Sequence, residues 1–339
     1  MTVRMEMQEV FKERKMVNLV PATFFFITFL FGIIANSLFL WVLGFKMKRA
    51  VNIIWFFHLI LANFIFTIMM PIIGVYLLVY PQWIFGQLMC KLINTLLSVS
   101  MFAAVFLLTI ISTDRYLLVV HPLWCRSHRT TKCASTISAM TWVLALVFSA
   151  PYLIFRVTRL DEQNRTICYN NYAFPNDWED LNTLKLKRKV QCFLFVFRFL
   201  LGFLLPFIII SFCYLTIASK MKMKSLTKSK KPFKVIIIVI ISFLFSWTPY
   251  HVYYGLSLYP DHYPGLLNIF KVLSSCLTCI NSCFTPILYL FIGENFKQIF
   301  RRSIMSLFES AFNEYTNSMD QSYNDRLEIS VHSTVKDQI

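Results

Sequence analysis

Hydrophobic positions along this chain gather in long blocks, separated by short polar or basic connections. The blocks run near Ala22–Leu43, Ile53–Val79, Leu92–Val120, Ala134–Phe155, Cys192–Ile217, Val235–Leu256 and Leu266–Ile292. A stretch of about 20 mostly apolar residues is long enough to cross the hydrocarbon core of a bilayer, so the pattern predicts seven membrane spans. They must be helices, because backbone N–H and C=O groups in lipid have to be satisfied within the segment. No run alternates strictly enough to serve as a barrel strand. The predicted fold class is an all-α membrane protein, a seven-transmembrane helix bundle. Glu294-Asn295-Phe296-Lys297-Gln298-Ile299-Phe300 reads as a short amphipathic eighth helix lying on the membrane face. The expected organisation is a polar tail over 1–20, the bundle with helix eight over 21–303, and a second polar tail over 304–339.

Composition sharpens this picture. The chain has 339 residues, 57% hydrophobic and 15% charged, with 35 Phe and a mean hydropathy of +0.59. Ordinary soluble domains carry about 25% charged residues. The formal net charge is +16, which in a soluble chain would point to nucleic acid. Here the cations crowd particular connections: Lys220, Lys222, Lys224, Lys228, Lys230, Lys231 and Lys234 in one, and Lys46, Lys48, Arg49, Arg126, Arg129, Lys132, Lys297, Arg301 and Arg302 in others on the same side. The positive-inside rule places these loops in the cytoplasm and the N-terminus outside. Lys12, Arg14 and Lys15, and the cations after the fourth block, pull the other way. The first apolar block is too long for a cleavable signal core and is expected to act as its own insertion signal.

Of the 9 Cys, Cys125 and Cys133 fall on the basic side. Cys192, Cys213, Cys276, Cys279 and Cys283 lie inside apolar blocks, where small packing residues are the ordinary reading. Cys90 and Cys168 remain, both in outer regions, and a disulfide is expected between them in that oxidising compartment. Asn164-Arg165-Thr166 is an N-glycosylation sequon just before Cys168. There is no nucleophile–base set or metal-spaced cluster, so neither an enzyme nor a metal or cofactor site is expected.

Asp114-Arg115-Tyr116 closes the third block, and an ionisable pair beside hydrocarbon is a functional hypothesis by default. Cys90 opens the same block, Trp247-Thr248-Pro249 sits in a later one, and Pro286-Ile287-Leu288-Tyr289 closes the last. In this order they resemble the class A (rhodopsin-like) G-protein-coupled receptors, from about Ala22 to Phe300. The resemblance implies that Asp114, Arg115 and Tyr116 form the inner switch, with Arg115 paired to Asp114 at rest and swinging out to meet a heterotrimeric G protein. It implies that Tyr214, Phe243, Trp247, Pro249, Pro286 and Tyr289 carry the change through the bundle, and that Asn36 and Trp142 are packing anchors. The Cys90–Cys168 bridge matches the family's own. Where many members carry an acid at the base of the sixth helix, Ser229 and its lysine neighbours offer none. The family's sodium site is altered: Asn63 stands where Asp is usual, Ala104 on the third helix and Thr285 on the seventh also depart, and Asn281 and Ser282 match. A hard cation wants at least one carboxylate, so sodium binding is expected to be weak or absent.

Arg198 lies inside the fifth block, about two turns outward from Pro206. An Arg at membrane depth should face a polar cavity and seek an anion. Arg198-Phe199-Leu200-Leu201-Gly202-Phe203, His121-Pro122-Leu123-Trp124 and Gly293-Glu294-Asn295-Phe296 resemble the chemoattractant branch that includes the formyl-peptide receptors. There a basic residue at this position receives an acidic ligand group. Leu194 and Ser98 stand where formyl-peptide receptors carry Arg and Asp, whereas the chemoattractant-type prostaglandin D2 receptors keep one base here. Tyr250, His251, Tyr254, Lys271 and Ser98 are further candidates for the pocket wall, an aromatic lining with a few placed polar groups being the expected kind of site.

The expectation is a plasma-membrane receptor for an anionic peptide or lipid, coupled by resemblance to an inhibitory-class G protein. Membrane lipids surround it, and nucleic acid is not a partner. Receptor kinases and arrestin are expected to act on tail residues such as Ser303, Ser306, Ser310 and Thr316. Two other readings stay open. An atypical or decoy receptor would bind ligand without G-protein coupling; Asn63 and Thr285 favour it, while Arg115, Tyr214 and Tyr289 oppose it. A transporter or channel would need charges along a path, broken helices in repeated halves or pore-lining polar rings.

Overall fold

In the structure of the chain, a computed structural model, the backbone is described for residues 2–172, 181–223, 231–260, 262–290, 298–306 and 309. Side chains are described for all of these except 2–17, 181, 223, 231–237, 239–240 and 284–290. The elements are α1 (Thr2–Trp41, continued by a π-turn Val42–Lys46), α2 (Val51–Leu78), α3 (Gly86–Val120), α4 (Pro122–His128), α5 (Thr131–Phe155), β1 (Arg156–Leu160), β2 (Thr166–Asn170), α6 (Leu181–Phe199), a π-turn Leu200–Leu204, α7 (Leu205–Met223), α8 (Lys231–Leu256) and α9 (Pro264–Leu290). Residues 298–306 are again helical.

Six helical stretches among the described residues are long and apolar enough to cross a membrane. They include Asn182–Lys222, in which α6, the π-turn and α7 make one continuous rod. α8, which carries the sixth apolar block, brings the bundle to seven. α1 begins at Thr2, so its helical backbone extends through the segment expected to be a polar tail.

α3 is the central helix. In its most apolar stretch 67% of residues are buried, against 17–44% in the other spans. Val99, Phe102, Ala103, Val105, Leu107 and Ile111 on α3 pack with Trp55 and Leu59 of α2, Ala145 of α5, Phe203, and Phe243 and Trp247 of α8. Outer helices turn large apolar side chains such as Leu30, Phe31, Ile34, Val143 and Phe212 away from the bundle. These would be strongly unfavourable in water and are at home against lipid.

Small and polar residues set the helix contacts. A Cβ on Gly32 would lie 3.0 Å from both Thr67 Cγ2 and Cys283 Sγ, so glycine lets α1 approach α2 and α9 closely. One turn on, Asn36 Nδ2 donates to Gly32 O at 2.9 Å, and to Thr67 Oγ1 and Ser282 O at 3.4 Å. Trp142 Nε1 donates to His58 Nδ1 at 3.2 Å, tying α5 to α2. Both residues expected to anchor packing do so. The continuing helix 298–306 packs Phe300 onto Phe39 of α1 at 4.5 Å between ring centroids.

At one end β1 and β2 pair antiparallel as a hairpin. Cys168 on β2 is bridged to Cys90 on α3 with Cα atoms 5.8 Å apart, as expected. Asn164 is exposed in the hairpin turn, with φ 57°, a left-handed conformation that asparagine tolerates better than most residues. Asp161 shapes that turn by accepting from the Gln163 and Arg165 amides and from the Arg165 guanidinium, and these bonds hold its carboxyl below the usual range. The opposite end carries α4.

Candidate functional site

One face of α6 supplies a wall of the hairpin-end cavity. Lys187, Gln191, Leu194, Phe195 and Arg198 recur at helical spacing and all line a cavity of about 290 Å3. At a rise of about 1.5 Å per residue, Lys187 stands about 16 Å nearer the mouth than Arg198. The π-turn then follows. Pro206 has no N–H to offer the Gly202 carbonyl, and a π-turn is a common way to absorb such a break. Gly202 itself lies against α3, where a Cβ would meet Phe102 at 3.1 Å.

Arg198 points into an aromatic cage. Its guanidinium carbon lies 4.8 Å from the Tyr152 ring centre and 5.2 Å from that of Tyr254. Each such contact is worth about 0.5–2 kcal/mol, depending on desolvation. Nη1 donates to Tyr250 Oη at 3.0 Å. No carboxylate pairs with it among the described residues. A second cavity, of about 180 Å3, begins beyond this cage. Tyr152 and Tyr254 line both spaces, while Ser98, Trp247, Tyr250 and Ser274 line the second. Ser98 accepts from Ser149 Oγ at 3.0 Å. Tyr250 also meets the Trp247 ring edge-on, with centroids 6.0 Å apart. Arg198, the Tyr250 hydroxyl and the Trp247 ring are therefore in direct sequence.

Two pocket candidates sit elsewhere. His251 is 3% exposed, packed against Phe199, Phe203 and Tyr250, and lines neither cavity. Lys271 also lines neither; its amine donates to Asn18 Oδ1 at 2.9 Å and lies over the Tyr80 ring. Tyr152 and Lys187 were missed. Tyr152 follows Pro151 inside an apolar block and looks there like ordinary packing. Lys187 reads as one of several loop cations until α6 turns it inward.

The α4 end holds Asp114, Arg115 and Tyr116, the residues expected to form the inner switch. Asp114 is paired, but its partner is Arg129 of the loop after α4: Nε lies 2.7 Å from Oδ1 and Nη2 lies 3.0 Å from Oδ2. Arg129 also donates to Asn52 Oδ1. This corrects the expected Asp114–Arg115 pair. Arg129 arrives from outside with a planar fork that fits both carboxylate oxygens, a better fit than Arg115 makes from the next position on the same helix. Arg115 makes no ion pair among the described residues. Tyr116 packs against His121 and Phe212. Phe243 stacks on Phe203 at 5.9 Å, and Pro249 lies within α8. Tyr214 packs against the main core. The side chains of Thr285, Pro286 and Tyr289, Ser229 with most of its lysine neighbours, and residues 291–297 lie outside the described residues, as do the tail positions from residue 310 on. Of the expected kinase sites, Ser303 is 9% exposed and Ser306 is exposed.

Among the residues expected to form an altered cation site, Asn63 is buried, its backbone carbonyl accepts from Thr67 Oγ1 at 2.7 Å, and its Nδ2 has no partner among the described residues. Ala104 is buried in the main core, Ser282 Oγ donates to Cys279 O, and Asn281 is engaged in a contact of its own. No carboxylate stands among these residues.

A bundle of this order, with a hairpin disulfide, a caged cavity at one end and an Asp-Arg-Tyr triplet at the other, defines a class. The chain belongs to the rhodopsin family of seven-transmembrane receptors, whose family description, 7 transmembrane receptor (rhodopsin family), matches residues 35–289. Such proteins take an extracellular ligand and engage a G protein; they are receptors, not enzymes. Among particular proteins, the chain is 47% identical over 297 residues to probable G-protein coupled receptor 33 of Homo sapiens, covering 88% of this chain and 89% of that one. It is 46% identical over 305 residues to the same-named protein of Mus musculus, covering 90% and 89%. To chemerin-like receptor 1 of Homo sapiens it is 39% identical over 293 residues, covering 84% and 78%.

Proposed function

We propose that this protein is a plasma-membrane receptor of chemoattractant type, with its hairpin end outside the cell, and that it binds a peptide or lipid through an anionic group seated on Arg198. Ligand binding would activate a heterotrimeric G protein of the inhibitory class, with kinases and arrestin acting afterwards on the inner side. The observation that carries this reading is the state of Arg198. A permanent cation is held at membrane depth by two ring faces and one hydroxyl, with no acid to neutralise it among the described residues. A ligand carboxylate supplies the missing charge, and a bidentate pair with a guanidinium is among the strongest polar contacts available. An anion on Arg198 would perturb its bond to Tyr250, which abuts Trp247, and a ligand that binds one state of the bundle better than the other shifts it toward that state. The likeness to chemerin-like receptor 1 supports a chemotactic role.

The test is G-protein activation in cells expressing the wild type or Arg198→Ala at matched surface levels. Both are challenged with formyl peptides, acidic chemotactic peptides and lipid acids. A wild-type response that Arg198→Ala loses is the expected outcome. A response that survives unchanged removes Arg198 as the anchor. Silence of a well-expressed wild type toward the whole panel would favour the decoy reading.

A further inference from the structure

A cavity of about 450 Å3 lies between the π-turn that ends α1, the first turns of α2 and the start of α5. It belongs to the α4 end, because Asn52, three residues past Arg49, accepts from Arg129 of the loop after α4. Leu43, Met47 and Phe57 are among its apolar walls, and Arg49, His58 and Ser135 are its polar lining. Gly44 and Arg49 are exposed, and Phe45 next to Gly44 is 82% exposed. The cavity therefore opens where large apolar side chains meet lipid.

Its chemistry is cationic outside and hydrogen-bond donating within. No Asp or Glu occurs in residues 42–80 or 115–155, and Arg49 has no ion pair among the described residues. Lys46, Lys48 and Lys132 stand near it in the chain. Trp142 Nε1 donates to His58 Nδ1. An indole can only donate, so the imidazole accepts there and carries its proton on Nε2. Neither that N–H nor the Ser135 hydroxyl has a hydrogen-bond partner among the described residues. His58 lies seven positions along α2 from Val51, about 10 Å of helix rise, and its side chain leans back toward the mouth. The headgroup layer of a leaflet is about 5–8 Å deep. Arg49 thus stands at headgroup level and His58 near the boundary with hydrocarbon. Water can serve the two donors and solvate Arg49, but it leaves the apolar walls wet. An anionic glycerophospholipid carries a phosphate, ester carbonyls and hydrocarbon in that order, which is the order of the lining. Anionic lipids are a feature of the cytoplasmic leaflet, and basic pockets between helices on that side suit their headgroups. An apolar cavity of about 150 Å3 takes a benzene, so about 450 Å3 takes about 18 non-hydrogen atoms, enough for the phosphoglycerol diester region and the top of one chain.

We propose that this cavity is a binding site for an anionic glycerophospholipid. Its phosphate sits on Arg49, its ester carbonyls accept from His58 Nε2–H and the Ser135 hydroxyl, and one chain runs along Leu43, Met47 and Phe57. The site is separate from Arg198, and only its assignment to the inner leaflet rests on the orientation proposed above.

The full-length receptor in neutral detergent is titrated with dioctanoyl-phosphatidylserine or dioctanoyl-phosphatidylcholine, and the lipids retained are counted by native mass spectrometry. The wild type should retain phosphatidylserine at about fivefold lower concentration than phosphatidylcholine, the scale of one basic residue at a membrane surface. Gly44→Leu puts a side chain into the cavity, and its Cβ meets only Phe57, at an ordinary 3.5 Å. It should retain one phosphatidylserine fewer than the wild type. Arg49→Ala should lose the same molecule at a concentration that half-fills the wild type, and the double variant should lose one, not two. Glycerophosphoserine, the headgroup without chains, should displace nothing. Thermal unfolding of each variant confirms that it is folded. Equal retention of the two lipids by the wild type would overturn the proposal, as would an unchanged count in Gly44→Leu or Arg49→Ala. Loss of two molecules in the double variant would place Arg49 and the cavity in different sites and overturn it too. Displacement by glycerophosphoserine would mark a bare phosphate site instead.

Discussion

Removing Arg129 should quieten this receptor. Arg129 makes two charge-assisted hydrogen bonds to Asp114, at 2.7 and 3.0 Å, and a third bond to Asn52. The two side chains are 21% and 11% exposed, so the pair is shielded from solvent but not fully buried. Removing one partner of a fully buried pair costs about 3–5 kcal/mol, and one hydrogen bond to a charged group contributes about 1.5–3 kcal/mol. For this partly shielded pair, about 2 kcal/mol is a reasonable scale. In Arg129→Ala the Asp114 carboxylate has lost its partner, and the nearest cation in the chain is Arg115. Re-pairing with it would recover part of the loss and take Arg115 out of use. If about 1.4 kcal/mol is recovered, the population with Arg115 available falls about tenfold. The assay is ligand-free nucleotide exchange on purified inhibitory-class G protein, with wild type, Arg129→Ala and the double variant Arg129→Ala/Asp114→Asn at equal receptor density. Basal exchange should drop in Arg129→Ala and recover in the double variant, where no carboxylate remains to trap Arg115. Basal exchange that rises in Arg129→Ala would refute the reasoning, because Arg129 would then be restraining the active state rather than sparing Arg115.

Other outcomes follow from the same contacts. Tyr250→Phe removes the hydroxyl that Arg198 now holds at 3.0 Å; an anionic agonist no longer has to displace it, so its concentration–response curve should shift left by up to about tenfold, and a rightward shift would show that the hydroxyl instead helps hold the ligand. Gly32→Val places a Cβ 3.0 Å from Thr67 and Cys283, and overpacking of this kind costs about 1–3 kcal/mol; the thermal midpoint in nanodiscs should fall, and a rise would mean that the α1–α2–α9 junction has room to spare. Sodium should leave agonist affinity of the wild type almost unchanged and lower it in Asn63→Asp, where a carboxylate is restored; equal sodium sensitivity of the two would contradict the reading of the altered site.

The sequence alone determined the architecture, because the constraint behind it is one-dimensional. A helix that crosses lipid must satisfy its own backbone and present apolar side chains along its whole length, so each span is written out as a contiguous block. The same holds for features fixed by neighbours in the chain: the Gly32–Asn36 contact, the sequon in its turn, the Asp-Arg-Tyr triplet at the end of α3. The Cys90–Cys168 bridge was legible too, because few cysteines lay outside the blocks. What the tertiary structure decided are the pairings between distant segments. Nothing local says that Asp114 takes Arg129 rather than Arg115; that follows from α4 returning the chain so that Arg129 reaches the carboxylate with both nitrogens. Tyr152 and Arg198, 46 positions apart, meet only because α5 and α6 line the same cavity at the hairpin end. His251 looked like a pocket residue by composition, yet the rotation of α8 turns it into the core and gives the cavity to Tyr250 and Tyr254. A one-residue change of phase on a helix moves a side chain by about 100°, and that angle is set by packing across the bundle, which no single segment encodes.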